Sequence, residues 1–441
     1  MARTFPEKTE HNSNLAFLFL ILYSIALFIR PQEWSPEYEE FFYQYPIARF
    51  FLMIAFAGYL IFQRPKIWGY QGWFLLVMFL IIPVSGLMNG WLGGGVKQAQ
   101  EFFIYCLLPF LLYAGLVNTP KKQYWIFIVF AVACAVMIHH GISQKLSPDS
   151  IGWSGVRLFG REGEFGRIRF LGIFNDPNDL GMFFAMNIPI MFYMKSVSKN
   201  ILLKITFTLM IAALLFGIYL TNSRGTLVGV LGLLFTYFYF KFGKTKTIVL
   251  GAFSIPILLL VISLFRTIDT NEASAYGRVE AWYAGVQMIK SNPLLGTGKG
   301  SFRDHHVLTA HNSYVLIMAE LGVIGYVLWL TTILLTAFML MRILSLNKED
   351  YPDSPELHSD IFLAKCLFFS LVAFICTGFF LSRSYEVLLY VFIGLSCALF
   401  SRVLKEVPEI IDVISKKNIG ILCSLSLASL IALYIIISIL L

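Results

Sequence analysis

The sequence predicts an all-α protein, a polytopic membrane helical bundle. Of its 441 residues, 58% are apolar and only 14% are charged, which is more apolar surface than a water-soluble core can cover. Apolar runs of about 17 residues or more recur along the chain, and each can cross the bilayer as a helix. Lys and Arg gather in alternate loops between these runs. The three observations together predict a single integral membrane domain over 1–441.

Apolar stretches that are candidate membrane spans predict about 12–13 transmembrane helices. They are 14–30, 46–63, 70–88, 100–117, 122–140, 180–195, 201–220, 224–241, 247–265, 313–341, 361–381, 386–401 and 418–440. The first is followed by Pro31-Gln32-Glu33-Trp34 without a small-residue cleavage site, so we interpret it as a retained helix.

The distribution of cations predicts the orientation. Pairs such as Lys121-Lys122 and Lys416-Lys417 fall in one set of loops, whereas the short loops of the other set hold few cations. Since Lys and Arg resist translocation, the first set is cytoplasmic. The net charge of +8 then follows from topology and does not indicate nucleic acid. The six cysteines fall inside apolar stretches, where we interpret them as packing residues.

A long outer, periplasmic loop is predicted over 141–179. It holds four arginines and leads into a polar string at 174–181. Clustered arginines outside the cytoplasm indicate an anionic ligand. Asn178 and Asp179 in the polar string are also typical helix caps, and a cap without any ligand remains an alternative for them. The arginines are Arg157, Arg161, Arg167 and Arg169.

A second long periplasmic loop is predicted over 266–312, beginning with Arg266. Its apolar residues recur with the 3.6-residue helical period, which predicts an amphipathic helix at the membrane surface, opened by Arg278. An arginine that only reaches lipid headgroups is the alternative for Arg278. The periodic positions are Val279, Trp282, Tyr283, Val286 and Ile289.

A glycine-rich string follows at 292–302. It contains Gly296, Gly298 and Gly300, but it lacks the Walker spacing of a phosphate loop and no strand precedes it. We interpret it as a tight, flexible turn whose backbone amides can approach another group closely.

The same loop ends at His311, just before a long apolar helix. Asn312 and Ser313 are good N-cap residues, so His311 lies at the positive end of the helix dipole. That field disfavours the imidazolium form and keeps the ring neutral, as a general base requires. A metal site with His305 and His306, or a plain surface histidine, remains an alternative.

Two further charged residues, Arg224 and Glu320, lie at the start of a predicted span and inside another. Thr221-Asn222-Ser223 precedes Arg224, which predicts an anion site made of a helix N-terminus and a guanidinium; an arginine at the membrane interface is the alternative. Glu320 lies inside a predicted span and needs a partner, for which Arg383 and Glu386 are candidates.

Several of these motifs, in this order, resemble the O-antigen ligase and polymerase superfamily. The resemblance covers about 165–400 and rests on Phe-Asn-Asp-Pro-Asn-Asp-Leu-Gly at 174–181, Asn-Ser-Arg-Gly at 222–225, Arg-x-x-x-Trp at 278–282, Asn-Pro-Leu-Leu-Gly at 292–296, His-Asn-Ser-Tyr at 311–314 and Glu-Leu-Gly-x-x-Gly at 320–325. The string Arg-Pro-Gln-Glu-Trp at 30–34 also looks like some members. Thirteen spans is one more than the twelve that the resemblance implies.

The resemblance implies a GT-C-like glycosyltransferase of the bacterial inner membrane with its active site toward the periplasm. The implied donor is a glycan on undecaprenyl diphosphate, and the implied acceptor is a sugar of lipid A-core or of a lipid-linked glycan. Carried over by position, Arg224 and Arg278 bind the donor diphosphate and His311 is catalytic. No cofactor, no metal and no nucleic acid is implied. Predicted supporting residues are Arg169, Asn178, Arg303, Asn312, Tyr314, Glu320 and Arg383.

Three functions remain open at this point. Ligase and polymerase differ only in acceptor, and the motif match favours a ligase that acts on lipid A-core. A flippase or transporter of lipid-linked glycans is the alternative from another class. It predicts internal repeats and ionisable groups at mid-membrane, whereas the unusual charge here gathers in the outer loops.

Overall fold

A computed structural model describes residues 13–35, 41, 46–160, 166–265 and 273–439, with no side-chain description for 246, 248–265 and 273–276. Arg161 and Arg266 lie outside this range. The helices are α1 Asn14–Ser24 with a π-helical continuation Ile25–Ile29, α2 Ile47–Phe62, α3 Gly69–Met88, α4 Leu92–Leu116, α5 Pro120–Leu146, α6 Pro177–Val197, α7 Ile201–Thr221, α8 Arg224–Phe265, α9 Ala273–Ser291, α10 Ser313–Leu344, α11 Pro355–Gly378, α12 Val387–Glu406 and α13 Lys416–Ile439.

The predicted fold class is confirmed, and every predicted span coincides with helix. Within the described ranges, ten helices are long and apolar enough to cross a membrane, and α1 with its continuation and α2 are shorter apolar helices. Gly243 has φ 77° and ψ 174°, so α8 consists of two helical segments, as the separate spans 224–241 and 247–265 predict. In the same ranges there is no strand, only two isolated β-bridges.

Helix α4 begins earlier than predicted. The polar sequence before position 100 suggested a loop, yet the helix starts at Leu92 and includes Lys97. Glycines allow this early start: a Cβ on Gly95 would stand 3.0 Å from the Cα of Gly86, so α3 and α4 are in near backbone contact. Because a side chain at either position would separate the two helices, this close packing favours helix over loop.

The helices differ in how deeply they are buried. Of the spanning residues of α12, 83% are buried, against 22% for α7 and for α13. Without water to pair with, buried polar groups must pair with one another, and Arg402 on α12 donates to Asp360 on α11 at 2.6 and 2.7 Å and to Gln123 on α5 at 2.8 Å. The central helices α12, α11 and α5 are therefore fixed to one another, while α7 and α13 have mostly exposed apolar faces suited to lipid.

The loops between several helices meet at one end of the bundle. Ile168 N donates to Leu220 O at 3.2 Å, which ties the first long loop to the end of α7. Ser384 Oγ donates to Ser313 O at 2.6 Å, which ties the turn after α11 to the start of α10. We call this end of the bundle the loop face. The predicted loop 141–179 is shorter in the structure, because α5 continues to Leu146 and α6 begins at Pro177.

Candidate active site

His311 lies immediately before α10, in a fixed position. Asn312 caps the helix: its Oδ1 accepts hydrogen bonds from Tyr314 N at 2.9 Å and Val315 N at 3.2 Å. Trp282 Nε1 on α9 donates to Ala310 O at 2.9 Å. His311 itself has φ 46°, a left-handed conformation that is uncommon outside glycine. A capped helix on one side and the hydrogen bond from Trp282 on the other thus hold the backbone of His311 in place.

Charged groups from four segments face His311. Burial lowers the pKa of His311, and the neighbouring cation Arg278 lowers it further, with smaller contributions from Arg383 and Arg303, whereas Asp176 raises it. The net direction is downward, so the ring is neutral at neutral pH. The sequence predicted a neutral ring from the helix dipole alone. The structure adds a second cause, which is repulsion from several arginines.

Arg383 is held in this cluster by a turn at 379–386. Its backbone N donates to Ser313 Oγ at 2.9 Å. Its guanidinium forms a bidentate ion pair with Asp179 and contacts Glu386 Oε1 at 3.2 Å. The interpretation of Asp179 as a helix cap is therefore wrong: its side chain is 4% exposed and is the ion-pair partner of Arg383.

Asn178 is not a cap either. Asp176 caps α6 by accepting from Asn178 N at 2.7 Å. The Asn178 Oδ1 instead accepts from Arg167 Nη2 at 2.8 Å and from Ser223 Oγ at 2.7 Å. Asn178 therefore joins the first long loop and the start of α6 to the start of α8. Asp176 and Ser223 were not predicted as separate site residues, although both lie in the polar strings at 174–181 and 221–226.

Arg224 lies in the first turn of α8, as predicted. Ser223 precedes it and accepts a hydrogen bond from Thr226 N at 3.2 Å. Gly225 packs against the turn that carries Arg383, since a Cβ there would stand 3.0 Å from Phe380 Cβ. Arg224 is thus on the loop face, beside the segments that bring Asp176 and Arg383 to His311.

Arg278 does not open its helix. Helix α9 begins at Ala273, so Arg278 lies in the second turn; the sequence signal failed because Gly277 resembles a helix break. The helix also packs on the protein rather than lying only on the membrane: a Cβ on Gly285 would stand 2.5 Å from Val315 Cγ1 of α10. Contact with α10 explains how Arg278 comes to face His311.

The glycine-rich string forms a fixed contact and not a flexible turn. Thr297 N donates to Ala319 O at 3.2 Å and Gly298 N to Glu320 O at 2.9 Å. A Cβ on Gly296 would stand 2.4 Å from Glu320 O, so only glycine fits there. Helix α10 is itself interrupted at Gly322, with φ 63° and ψ −161°. The group that these amides approach is therefore the interrupted backbone of α10.

Glu320 has other partners than those predicted. Its Oε1 accepts from Phe302 N at 3.3 Å, and Lys299 is the cation that faces it. Arg383 and Glu386, the predicted candidates, pair with Asp179 and with each other instead. Glu320 therefore stabilises the contact between the glycine-rich string and α10.

Other predicted supporting residues have varied positions. Arg303 is exposed and faces His311. The Tyr314 hydroxyl donates to Ile375 O at 3.1 Å inside the bundle. Arg169 Nε donates to Arg157 O at 2.8 Å within the first long loop. Among the residues that the structure describes, no group of three or more His, Cys, Asp or Glu could hold a metal ion.

Part of the chain matches the model of a known protein family. A family model described as O-antigen ligase matches residues 209–330, a range that contains Arg224, Arg278 and His311. A comparison with curated protein sequences found no match. The matched range begins in α7 and ends in α10, so it includes both helix starts of the site and the second long loop. Residues 209–330 are therefore similar to the O-antigen ligase family, in agreement with the resemblance that the sequence motifs indicate.

Proposed function

We propose that this protein transfers a glycan from undecaprenyl diphosphate to a sugar hydroxyl at the loop face, with His311 as the base. The O-antigen ligase domain supports a membrane glycosyltransferase of the ligase or polymerase type. The observation that carries the finer proposal is the charge around His311, where Arg278, Arg383 and Arg303 face one imidazole whose pKa is lowered.

The arginines supply what a diphosphate leaving group requires. Arg224 stands in the first turn of a helix, where backbone N–H groups and a guanidinium can bind phosphate oxygens together. Arg278 is on α9 and is the cation that lowers the pKa of His311 most. Positive charge fixed in advance stabilises the negative charge that grows on the leaving diphosphate. In this proposal the two guanidinium groups take the part that a divalent metal has in other phosphate chemistry.

The reaction is a substitution at the anomeric carbon. The acceptor oxygen forms a bond to that carbon, and the bond from the carbon to the diphosphate oxygen breaks with its electron pair leaving on the diphosphate. His311 takes the proton from the acceptor hydroxyl, which requires a neutral ring. An in-line attack inverts the configuration of the anomeric carbon. The lowered pKa of His311 supports this role, because the ring is then neutral at the pH of the periplasm.

The sequence resemblance favours the acceptor that we propose. We propose a ligase that acts on lipid A-core in the periplasmic leaflet of the inner membrane, with transfer to another lipid-linked glycan as the alternative. The experiment incubates purified protein with undecaprenyl-diphosphate glycan and either lipid A-core or a second lipid-linked unit, in the presence of a chelator. Growth of lipid A-core is the expected result. Growth only of the lipid-linked unit indicates a polymerase, and the absence of any glycan transfer contradicts the proposal.

A further inference from the structure

A large chamber opens at the loop face beside the arginine cluster. Its volume is about 1240 Å³. Its wall consists of the end of α1, the start of α2, the middle of α4, the segments 154–156 and 171–175, Lys299 and the residues 385–387 at the start of α12. We call it the side chamber. Small-molecule pockets commonly measure about 300–1,000 Å³, so this space can hold a ligand of several linked rings. Its lining does not include Arg224, Arg278 or His311.

The string Arg-Pro-Gln-Glu-Trp at 30–34 forms one wall of the side chamber. Arg30 Nε donates to Glu33 Oε2 at 2.8 Å, and both side chains line the space. Trp34 Nε1 donates to Ile29 O at 3.1 Å, which fixes the string on the end of α1. A Cβ on Gly172 would stand 2.1 Å from Arg30 Cζ, so the guanidinium lies directly on this glycine. The string is therefore connected to the segment that leads to Asp176.

Charge in the side chamber is balanced. The lining contains three cations, Arg30, Arg49 and Lys299, and three carboxylates, Glu33, Glu101 and Glu386. Arg30 pairs with Glu33, Lys299 lies 3.5 Å from Glu101, and Glu386 lies 3.2 Å from Arg383. Arg30 and Lys299 therefore already face carboxylates, and Arg49 donates to Tyr105. Cations paired in this way attract a phosphate much less than cations that face no carboxylate.

Groups that recognise sugars are also present. Arg49 Nη2 donates to Tyr105 Oη at 3.0 Å. With Glu101, these residues place a guanidinium, a hydroxyl and a carboxylate in the chamber wall. Tyr105, which is exposed, and Tyr385, which is half-buried, add aromatic surface. Amphipathic rings combined with a few fixed polar groups suit a ligand with both hydroxyls and apolar C–H faces, as a sugar has.

We propose that the side chamber binds the uncharged terminal sugars of the acceptor glycan. The inference rests on the proposed function and adds the position and the chemical class of the acceptor. Asn175 and Glu386 line the side chamber, while their neighbours Asp176 and Arg383 face His311. The donor arginines belong to α8 and α9, which do not contribute to the chamber wall. An acceptor in the side chamber thus reaches the imidazole from a different side than the diphosphate, as an in-line attack requires.

Binding is measured on the His311→Ala protein in nanodiscs, so that no transfer occurs. The probes are a short uncharged oligosaccharide and the same oligosaccharide with a phosphate on its terminal sugar, observed by saturation-transfer NMR. We expect saturable binding of the uncharged probe and binding of the phosphorylated probe weaker by about tenfold or more. Equal or tighter binding of the phosphorylated probe overturns the proposal.

Two matched variants locate this binding. Ala48 lines the side chamber, so Ala48→Trp reduces its volume, whereas Ala57→Trp changes an exposed position of the same helix outside the lining. We expect Ala48→Trp to weaken the uncharged probe about tenfold and Ala57→Trp to leave it unchanged. Tyr105→Ala should weaken it more than Tyr105→Phe, which keeps the ring. Unchanged binding in Ala48→Trp and Tyr105→Ala contradicts the proposal.

Kinetics of the active protein separate this proposal from the function that it rests on. With His311 restored, Ala48→Trp should raise KM for the acceptor and leave KM for the donor unchanged. A rise in the donor KM alone would mean that the chamber holds the donor glycan, which overturns the proposal while transfer itself persists. No transfer by the wild-type protein, with sugar binding intact, contradicts the proposed function instead.

Discussion

The arginine cluster around His311 and the side chamber beside it contain the same kinds of charged side chain in opposite arrangements. In the cluster, Arg278, Arg303 and Arg383 face His311 together with the carboxylate of Asp176. In the side chamber, three cations and three carboxylates are present, and two of the cations, Arg30 and Lys299, face carboxylates of the same wall. Adjacent regions of one protein can thus differ in which ligands they attract, through the pairing of charges rather than the choice of residues.

In our proposal this difference gives each region a separate task. Around His311 the arginines outnumber the carboxylates, which keeps the imidazole neutral and would attract an anion. The side chamber, with equal numbers of cations and carboxylates, would bind uncharged polar ligands and would not compete for the diphosphate. Arg383 links the two, because it faces His311 and also contacts Glu386 of the chamber wall. Changes at either region should therefore have distinguishable effects.

Removal of the imidazole should have the largest effect. His311→Ala is expected to lower the transfer rate by about 10²–10⁴-fold, the usual contribution of a general base. Because His311 has φ 46°, His311→Asn is the second variant: asparagine tolerates this backbone conformation but cannot act as a base. The measurement is the rate of glycan transfer from the lipid-linked donor.

The control for this prediction is His305→Ala. His305 is exposed on the short helix Phe302–His305, six positions before His311, and should not affect the rate. Wild-type rates in both His311 variants would remove the imidazole from the mechanism.

The second largest effect is expected when Arg383, which links the two regions, is removed, because the folded protein then loses stability. Arg383→Ala leaves Asp179, whose side chain is 4% exposed, without its ion-pair partner. An uncompensated buried charge costs about 3–5 kcal/mol, so thermal denaturation in detergent should begin at a lower temperature. The double variant Asp179→Ala/Arg383→Ala should recover part of this loss, because no buried charge is then left unpaired.

Arg342→Ala is the matched control, since Arg342 pairs with Asp412 in a setting where the aspartate side chain is 62% exposed. We expect a change of about 0–1 kcal/mol there. Equal stability of Arg383→Ala and Arg342→Ala would show that the buried pair does not hold the turn at 379–386 in place.

The smallest predicted effect is a shift in the pH dependence of kcat/KM for glycan transfer. Because burial and Arg278 lower the pKa of His311, the acid limb of kcat/KM should fall below the ordinary histidine pKa of about 6.5. Arg278→Ala removes a cation that opposes protonation, so the pKa rises and the acid limb moves to higher pH. Lys290→Ala, on the same helix and over Tyr434, should not move it. A limb that moves to lower pH in Arg278→Ala contradicts the electrostatic account.

Sequence reasoning predicted the fold well, whereas its catalytic and diphosphate-binding residues stay predictions. The spans follow from apolar length alone, since only helices satisfy the backbone within lipid. His311 and Arg224 could be identified because cap residues precede their helices, a signal that is local in sequence. The ion pair between Arg383 and Asp179 joins residues 204 positions apart, so no local pattern could indicate it.

The glycine-rich string shows a different limit. Positive φ at Gly296, Gly298 and Gly300 could be expected from the residue type. Which group lies close to these glycines depends on the break in α10 at Gly322, a tertiary feature. The residue types thus predict the backbone conformation of such a segment, but they do not predict which part of the protein packs against it.

Equilibrium binding of undecaprenyl diphosphate without a glycan tests the central claim most directly. We expect Arg224→Ala and Arg278→Ala each to weaken binding about tenfold or more, equivalent to about 1.4 kcal/mol for each factor of ten, and His311→Ala to bind like the wild type. Arg157→Ala, an exposed arginine of the first long loop, is the control. Wild-type affinity in both Arg224→Ala and Arg278→Ala would contradict the proposal that these two arginines bind the diphosphate.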